Sequence, residues 1–341
     1  MELSATLPYA AEPRQAADLV ASWEKAGLDA IWVAEAYGFD AVSVLGFLAA
    51  RTERVKLGSA ILNVYSRTPA LMGQTAAGLD AISGGRFRLG LGASGPQVIE
   101  GWHGMPYDKP LARTRETVEL VRRILRREVI EHHGLVDIPL PPEKGGKLGK
   151  PLKILTHPVR DTVPIWLAAL GPANVRMTAE IADGWIPTLF LPEKAAAVWG
   201  QALTEGRAQR SPELGPLGIT AGGLLAIGED AAAVRDQVRP PIALYVGGMG
   251  ARGKNFYNNI AKAYGFEKEA ELIQDLYLSG KKREAEAAVP DEFCELMTLA
   301  GPEGYVRDRI AAYREAGVTT LNVTPVGPEP ARLIEKVKNW L

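Results

Sequence analysis

The sequence predicts a single (β/α)8 TIM barrel, and three observations lead to that prediction. Short apolar strands alternate with helices along nearly the whole chain, which indicates parallel strands joined by right-handed crossovers. Eight such strand-then-helix units can be counted, and eight favour closure into a barrel over an open, doubly wound sheet. Of the 341 residues, 47% are apolar and 23% are charged, so a large core is available. Length alone allows one domain or two, and the unbroken alternation favours one domain spanning residues 1–341.

Each element follows from its local pattern of apolar residues. The expected strands are 3–7, 30–34, 55–62, 86–92, 165–169, 185–188, 217–226 and 320–324. The expected helices are 16–26, 40–50, one that begins after Thr68, 113–127, 173–182, 192–209, 304–316 and 331–340. Gly27 supplies a left-handed C-cap for the first helix, and Thr68 is an N-cap followed by proline at the first helical position.

Three segments interrupt the alternation and are expected to be insertions into the barrel. They are residues 96–110, 129–163 and 240–302, and the fold is expected to carry its insertions at the C-terminal face. The last insertion is about sixty residues long and has helical patterning, which is typical of a lid or an oligomer contact.

Charge and hydropathy exclude several classes of function. Lysine and arginine (39) nearly balance aspartate and glutamate (40), so no basic surface for nucleic acid or an anionic membrane is expected. The longest apolar stretch, 41–50, is shorter than the ~20 residues that cross a bilayer, and Glu2, Pro8 and Glu12 interrupt the region where a signal peptide would be apolar. We therefore expect a cytoplasmic protein that acts on a small molecule, as a homodimer or higher homo-oligomer.

A single cysteine, Cys294, excludes an intrachain disulfide. It lies in an apolar stretch of helical pattern, which favours a buried structural thiol. The histidines and the cysteine do not have the spacing of zinc ligands, so no metal site is expected.

Candidate site residues are those that directly follow the strands. In a TIM barrel the C-terminal ends of all strands open on one face, and this face carries the active site. The residues so placed are Pro8, Glu35, Asn63, Ala93 to Gly95, Leu170 to Asn174, Thr188 and Pro325.

The segment Gly90–Gly95 satisfies the pattern G-x-G-x-x-G after a strand. A dinucleotide-binding loop uses such glycines to bring backbone amides close to a pyrophosphate at a helix N-terminus. Residues 96–110 do not read as the apolar helix that such a site requires. The alternatives are a barrel loop that contacts a cofactor, which we favour, and a glycine turn without a ligand.

A second candidate loop, Ala169–Asn174, ends a buried strand and opens a helix, with Pro172 in its first turn. Free amides and the helix dipole at this point form a ready phosphate site. The alternative is a plain turn between a strand and a helix.

Two titratable residues are candidates for proton transfer. Glu35 follows the second strand and becomes a proton donor if burial raises its pKa; the alternative is a helix-capping or ion-paired carboxylate. His103, in the loop after the fourth strand, can act as an acid or a base near neutral pH; the alternative is a surface imidazole.

Four segments together resemble the bacterial luciferase-like family. They are Leu57–Pro69 and Leu79–Gly92 around strands three and four, Pro164–Pro172, which is similar to the family's phosphate loop, and Ala182–Trp185, which is similar to its sixth strand. The resemblance extends over nearly the whole chain. It is closest to the coenzyme F420-dependent oxidoreductases related to methylene-tetrahydromethanopterin reductase.

This resemblance implies a (β/α)8 barrel that holds a flavin or the 5-deazaflavin F420 at its C-terminal mouth. The ring would rest on a bulge in strand three, at Ala60, Ile61, Leu62 and Asn63, with a non-prolyl cis peptide between Ala60 and Ile61. The phosphate-bearing tail would run past Ala93, Ser94 and Gly95 and past Ala169, Leu170, Gly171 and Pro172.

The chain departs from the family's pattern at two positions. Many F420 members have Asp-His after strand two, where this chain has Glu35-Ala36, and many have a glutamate where Gly95 stands. The resemblance implies an F420-dependent oxidoreductase in which Glu35 or His103 moves the proton. The alternatives are an FMN-dependent monooxygenase and a non-catalytic carrier of F420 or flavin.

Overall fold

The structure is a computed structural model that describes residues 1–7 and 12–341. Its strands are β1 (Glu2–Leu7), β2 (Ala30–Val33), β3 (Lys56–Ser59), β4 (Leu62–Asn63), β5 (Phe87–Gly92), β6 (Ile165–Ala168), β7 (Gly184–Ile186), β8 (Gly218–Ile227), β9 (Thr298–Gly301) and β10 (Thr320–Pro325). Pro8, one of the expected site residues, lies outside the described residues.

Fifteen α-helices connect or follow these strands within the described ranges. They are α1 (Pro13–Lys25), α2 (Ala41–Ala49), α3 (Pro69–Ile82), α4 (Pro96–Gly101), α5 (Pro110–Leu125), α6 (Pro172–Ile181), α7 (Ala195–Ala208), α8 (Ala232–Asp236), α9 (Arg239–Ala243), α10 (Phe256–Ala263), α11 (Glu267–Leu278), α12 (Lys282–Ala287), α13 (Asp291–Leu296), α14 (Glu303–Glu315) and α15 (Pro330–Lys338). A π-helical turn at Leu244–Gly248 directly follows α9. In the described part of the chain, no helix is long and apolar enough to span a membrane.

The strands form a closed parallel barrel, which confirms the predicted fold class. The order around the barrel is β1, β2, β3, β5, β6, β7, β8 and β10, and β10 pairs with both β8 and β1. The short strand β4 continues the line of β3 along β5. The strand β9, which the sequence did not indicate, pairs with the C-terminal part of β8.

The first strand and the last helix are joined by hydrogen bonds at the N-terminal end of the barrel. The first strand lies between β2 and the last strand, with Glu2 paired to Thr320. The Asp29 carboxylate accepts hydrogen bonds from the backbone N–H of Leu3 (2.7 Å) and from Nζ of Lys338 (2.6 Å). One side chain therefore links the beginning of β1 to the end of α15.

Two tryptophans fill the middle of the barrel because neighbouring strands carry glycine. Trp32 packs on Gly58, and Trp166 packs on Gly184, at positions where a Cβ would overlap the indole. The two rings meet edge to face, with their centroids 5.4 Å apart. The lumen is therefore packed below its C-terminal mouth, as is usual for this fold.

The insertions lie at both ends of the barrel. Segments 96–110 and 240–302 follow β5 and β8 and so lie at the C-terminal face, as expected. Segment 129–163 follows α5 and precedes β6, which places it at the opposite, N-terminal face. The reading of 96–110 as non-helical was wrong for its first part, because α4 begins directly after Gly95, with Pro96 in its first turn.

Candidate functional site

The structure brings the expected site residues to one end of the barrel. Glu35 follows β2, Asn63 ends β4, Ser94 follows β5 and Gly171 follows β6. Since the barrel strands are parallel, these positions share the C-terminal face. Their predicted placement is confirmed, whereas their roles in binding and catalysis remain predictions.

The bulge in the third barrel strand has the expected backbone. The peptide bond between Ala60 and Ile61 is cis, as predicted, and it lies in the interval between β3 and β4. The Ser59 hydroxyl donates to the carbonyl of Gly90 and accepts from its N–H, each at 2.9 Å. Ser59 thus replaces the backbone hydrogen bonds that the interrupted strand does not make to β5. The sequence analysis did not single out this serine.

Asn63 and His103 are in contact, although they come from different loops. The side-chain oxygen of Asn63 accepts from the backbone N–H groups of Tyr65 (3.1 Å) and Ser66 (2.7 Å). This orientation turns the amide nitrogen to Nε2 of His103, 3.2 Å away. Because an amide nitrogen only donates, Nε2 accepts and the imidazole proton is on Nδ1. His103 is half-buried, and its role in proton transfer stays a prediction.

The loop after β5 is fastened by two stacked tyrosines. Tyr65 and Tyr107 have ring centroids 5.4 Å apart; the Tyr65 hydroxyl donates to the carbonyl of Asp108 (2.8 Å), and that of Tyr107 donates to the carbonyl of Ser94 (3.2 Å). Burial raises the pKa of Tyr65 to about 12. Its hydroxyl therefore stays protonated even at about pH 10 to 11 and can still donate to the carbonyl of Asp108 there.

Glu35 lies in a salt bridge between the loops after β2 and β4. Its two carboxylate oxygens accept from Nη1 (2.6 Å) and Nη2 (2.9 Å) of Arg67, and one also accepts from the N–H of Ala41 (3.0 Å). The side chains of Glu35 and Arg67 are 9% and 13% exposed. The hydrogen bonds that Arg67 donates to Glu35 raise the pKa of Arg67 above its ordinary value, although burial opposes the shift. This geometry supports the ion-paired alternative for Glu35, and its part in proton transfer stays a prediction.

Arg67 also bridges to Asp40, the N-cap of α2, at 2.6 Å. Burial acts to raise the pKa of Asp40, but hydrogen bonds from Ser43 and the charge of Arg67 outweigh it and lower that pKa. Arg67 thus holds two carboxylates at once. The sequence analysis did not identify Arg67, because nothing near it in the sequence indicates its partners.

The expected phosphate loop has the geometry of an open helix start. Gly171 is the extended N-cap of α6 and Pro172 its first residue, so the N–H groups of Ala173 and Asn174 face out of the first turn. The ring of Phe256, from the 240–302 insertion, covers Gly171, and a Cβ at residue 171 would lie 2.9 Å from this ring. This contact was not predicted.

A cavity of about 200 Å³ opens in the lumen beside Ala60. Its walls come from several strands and from the segment after β7, and the lining residues are Thr6, Trp32, Ala60, Ile186, Pro187, Thr188, Leu189, Phe190, Thr220, Ala221, Gly222, Met297 and Asn322. Of these, Ala60 and Thr188 were expected at the site. Alternation along the strands is the signal that could have identified Trp32 and Thr220 as inward-facing.

Comparisons with known proteins agree with this architecture. The chain matches the luciferase-like monooxygenase family over residues 1–320. A Mycobacterium tuberculosis protein with the provisional name coenzyme F420-dependent oxidoreductase is 40% identical over 340 residues, covering 97% of each chain. The 5,10-methylenetetrahydromethanopterin reductase of Archaeoglobus fulgidus is 27% identical and covers 92% of this chain and 90% of its own.

A solved structure shares the fold over the full length. The coenzyme F420-dependent tetrahydromethanopterin reductase of Methanopyrus kandleri superposes with a TM-score of 0.81 at 24% identity, over 100% of this chain and 98% of that chain. The resemblance drawn from the strand-three and phosphate-loop segments is therefore confirmed. The chain belongs to the luciferase-like monooxygenase family.

Proposed function

We propose that the protein is an F420-dependent oxidoreductase that transfers a hydride between the deazaflavin and an organic small molecule. The observation that carries the proposal is the 40% identity, over 97% of both chains, to the Mycobacterium tuberculosis protein with that provisional name. The cofactor loops of this chain add support, because they meet at the C-terminal face.

The residues present fit such a cofactor. The ring would lie on the bulge of Ala60, Ile61, Leu62 and Asn63, next to a cavity that offers unpaired polar atoms. The tail would pass the loops 93–95 and 169–172, which follow β5 and β6. Ser94 has a left-handed φ of 57°, which turns the chain sharply at the end of β5 and leads it into Gly95.

Polar groups at the start of α6 are also available to bind a ligand. The side-chain oxygen of Asn174 is buried and lacks a partner in the part of the chain that the structure describes. A rotation of the Asn174 side-chain amide by about 180° exchanges its oxygen and nitrogen. The nitrogen is then a donor beside the free backbone N–H groups of the first helical turn. These donors and the helix dipole suit a phosphate group.

When bound, F420 supplies hydride transfer at C5 of the deazaflavin without activating oxygen. The protein supplies position and a proton. We assign the proton to His103, whose Nδ1 carries it while Asn63 holds Nε2. Glu35 is the second candidate, but Arg67 and Ala41 already engage both of its carboxylate oxygens.

We also propose that the protein is cytoplasmic and forms a homodimer or higher homo-oligomer. Sedimentation of the purified protein tests the oligomeric state.

Titration of the purified apoprotein with F420 and with FMN, followed by spectra with and without oxygen, tests the proposal. We expect tight binding of F420, turnover of reduced F420 in the presence of an organic acceptor, and no oxygen consumption. Tight FMN binding with oxygen consumption would show an FMN-dependent monooxygenase, which the family match favours as the second candidate. Binding of F420 without its oxidation or reduction would show a carrier.

A further inference from the structure

Two polar side chains in the wall of the lumen cavity are unpaired. The indole nitrogen of Trp32 and the hydroxyl oxygen of Thr220 are buried and have no hydrogen-bond partner within residues 1–7 and 12–341. Trp32 is 1% exposed and Thr220 is 4% exposed. Folded proteins leave few buried polar atoms unpaired, because each one is destabilising. Two of them face one cavity, so a ligand in that cavity can pair with both.

Two neighbouring polar side chains of this cavity, Thr6 and Asn322, already have partners. The amide nitrogen of Asn322 donates to the hydroxyl of Thr6 (3.0 Å), and the amide oxygen accepts from the hydroxyl of Ser4 (3.0 Å). These groups on β1 and β10 lie between β2, which carries Trp32, and β8, which carries Thr220. The unpaired groups are therefore on separate walls of the cavity.

The direction of the Trp32 N–H is fixed by packing. The Cε3–Cζ3 edge of the indole lies against Gly58, so the N–H is on the edge turned away from β3. Trp166 meets the same ring edge to face, with an interplanar angle of 65°. A donor held in this way loses little conformational freedom when it binds a ligand.

The chemistry of the two groups limits the ligand. An indole N–H only donates, whereas a hydroxyl both donates and accepts, so the ligand must present at least one acceptor. The described residues that line the cavity carry no formal charge, which favours a neutral acceptor such as a ring carbonyl over a phosphate. A cavity of about 200 Å³ is smaller than the ~300–1,000 Å³ of pockets for whole ligands, so it receives only one edge of a ring system.

We propose that Trp32 and Thr220 bind the pyrimidinedione edge of the cofactor ring, which enters the lumen beside Ala60 by that edge. F420 and FMN share this edge, with its two carbonyl oxygens and one N–H, and differ at position 5 of the middle ring and at the opposite, benzenoid end. The inference rests on the proposed function for the location of the ring at the bulge. It adds that the pyrimidinedione end of the ring lies deepest and that Trp32 and Thr220 bind this end.

The variants Thr220→Val and Trp32→Phe test this, with Trp23→Phe as the matched control. Among the described residues, Trp23 in α1 also has a buried indole nitrogen without a partner, but it neither lines the cavity nor makes a ring contact with Trp32. Calorimetric titration of each variant with F420 and with FMN gives the dissociation constants. We expect Thr220→Val and Trp32→Phe each to weaken binding by about 3- to 10-fold, as for the loss of one neutral hydrogen bond, and Trp23→Phe to stay within about twofold of the unchanged protein.

Thermal unfolding of the apoprotein supplies a readout that needs no ligand. Thr220→Val removes an unpaired buried hydroxyl and keeps the side-chain shape, so the apo Tm should stay the same or rise while affinity falls. If the apo Tm and the affinity fall together, Thr220 has a structural role and the inference is wrong. If both cavity variants bind like the unchanged protein, the inference is wrong and the proposed function stands.

The two cofactors separate the remaining outcomes. Weaker binding of F420 with unchanged binding of FMN would assign the deep end to the benzenoid hydroxyl of F420 and overturn the pyrimidinedione assignment. If the unchanged protein binds FMN and not F420, the proposed function fails, while weaker FMN binding in both cavity variants still supports the inference. Binding of neither cofactor to the unchanged protein would overturn both proposals.

Discussion

Glu35→Gln distinguishes a proton donor from a structural ion pair. The substitution removes the charge but keeps one acceptor oxygen for Ala41 or Arg67. Removing one partner of a buried ion pair costs about 3–5 kcal/mol. Here Arg67 retains Asp40 at 2.6 Å and the glutamine still accepts a hydrogen bond, so we expect a loss of about 2 kcal/mol. For a chain of this length that corresponds to a fall in Tm of roughly 3 °C.

The effect on catalysis follows from the same geometry. A general acid contributes about 10²- to 10⁴-fold to turnover. Since both oxygens of Glu35 already accept hydrogen bonds, we expect Glu35→Gln to lower kcat by less than about tenfold. Arg67→Gln should produce a similar fall in kcat but a larger fall in Tm, because it also removes the bridge to Asp40 and leaves the buried carboxylate of Glu35 without its cation. The double variant should be little worse than Arg67→Gln alone, because the two substitutions share one interaction.

Circular dichroism for Tm, calorimetry for F420 affinity and steady-state kinetics for turnover are the measurements. Asp40→Asn is the control, since asparagine retains the helix cap and Asp40 is 45% exposed, so its stability loss should stay below about 1 kcal/mol. If Glu35→Gln slows turnover by about 100-fold or more, with Tm unchanged and Arg67→Gln nearly fully active, this reasoning is refuted and the proton belongs to Glu35.

Three further predictions concern the cofactor loop, the bulge and the cysteine. Gly171→Ala only displaces the exposed ring of Phe256 and should change F420 affinity by less than about threefold. Gly171→Glu should weaken F420 binding by about 100-fold, because a carboxylate ~5 Å from the phosphate is repelled by ~3 kcal/mol at a dielectric constant of ~20. Equal effects of the two variants would place the phosphate elsewhere. Ser59→Ala should cost about 2–4 kcal/mol in urea unfolding, because the N–H and carbonyl of Gly90 both lose a buried partner, and a cost below about 0.5 kcal/mol would contradict that account. Burial raises the pKa of Cys294 to about 11, so at pH 8 only about one thiol in a thousand is ionised. A disulfide reagent should therefore label Cys294 only after unfolding. Rapid labelling of the folded protein would show that the thiol is accessible and would contradict this prediction.

Strand alternation was enough to predict the barrel, since each of its strands is a short buried run between helices with an apolar face. The strand β9 was missed because Thr298–Gly301 is only four residues long and stands inside a segment with helical patterning. The helix α4 was missed because three prolines and three glycines in 95–110 read as a loop, although Pro96 suits the first turn of a helix.

The site was predictable where it depends on position and not where it depends on contacts between distant residues. The C-terminal ends of parallel strands placed Asn63, Ser94 and Gly171 on one face, and the family resemblance placed the cis peptide. The bridge from Glu35 to Arg67 and the cover of Phe256 over Gly171 join separate loops, whose conformations no local pattern specifies.

The position of β1 between β2 and β10 has a consequence for synthesis of the protein. The ribosome makes β1 long before β10, so one edge of β1 has no barrel neighbour until β10 has been made. At 5–20 residues per second this interval lasts roughly 15–60 s. During that time the N–H and carbonyl groups along one side of β1 are open to pairing with another nascent chain. We therefore expect the yield of correctly folded protein to rise when a chaperone covers this edge. Slower production should also raise the yield, because fewer nascent chains are then present to pair with it.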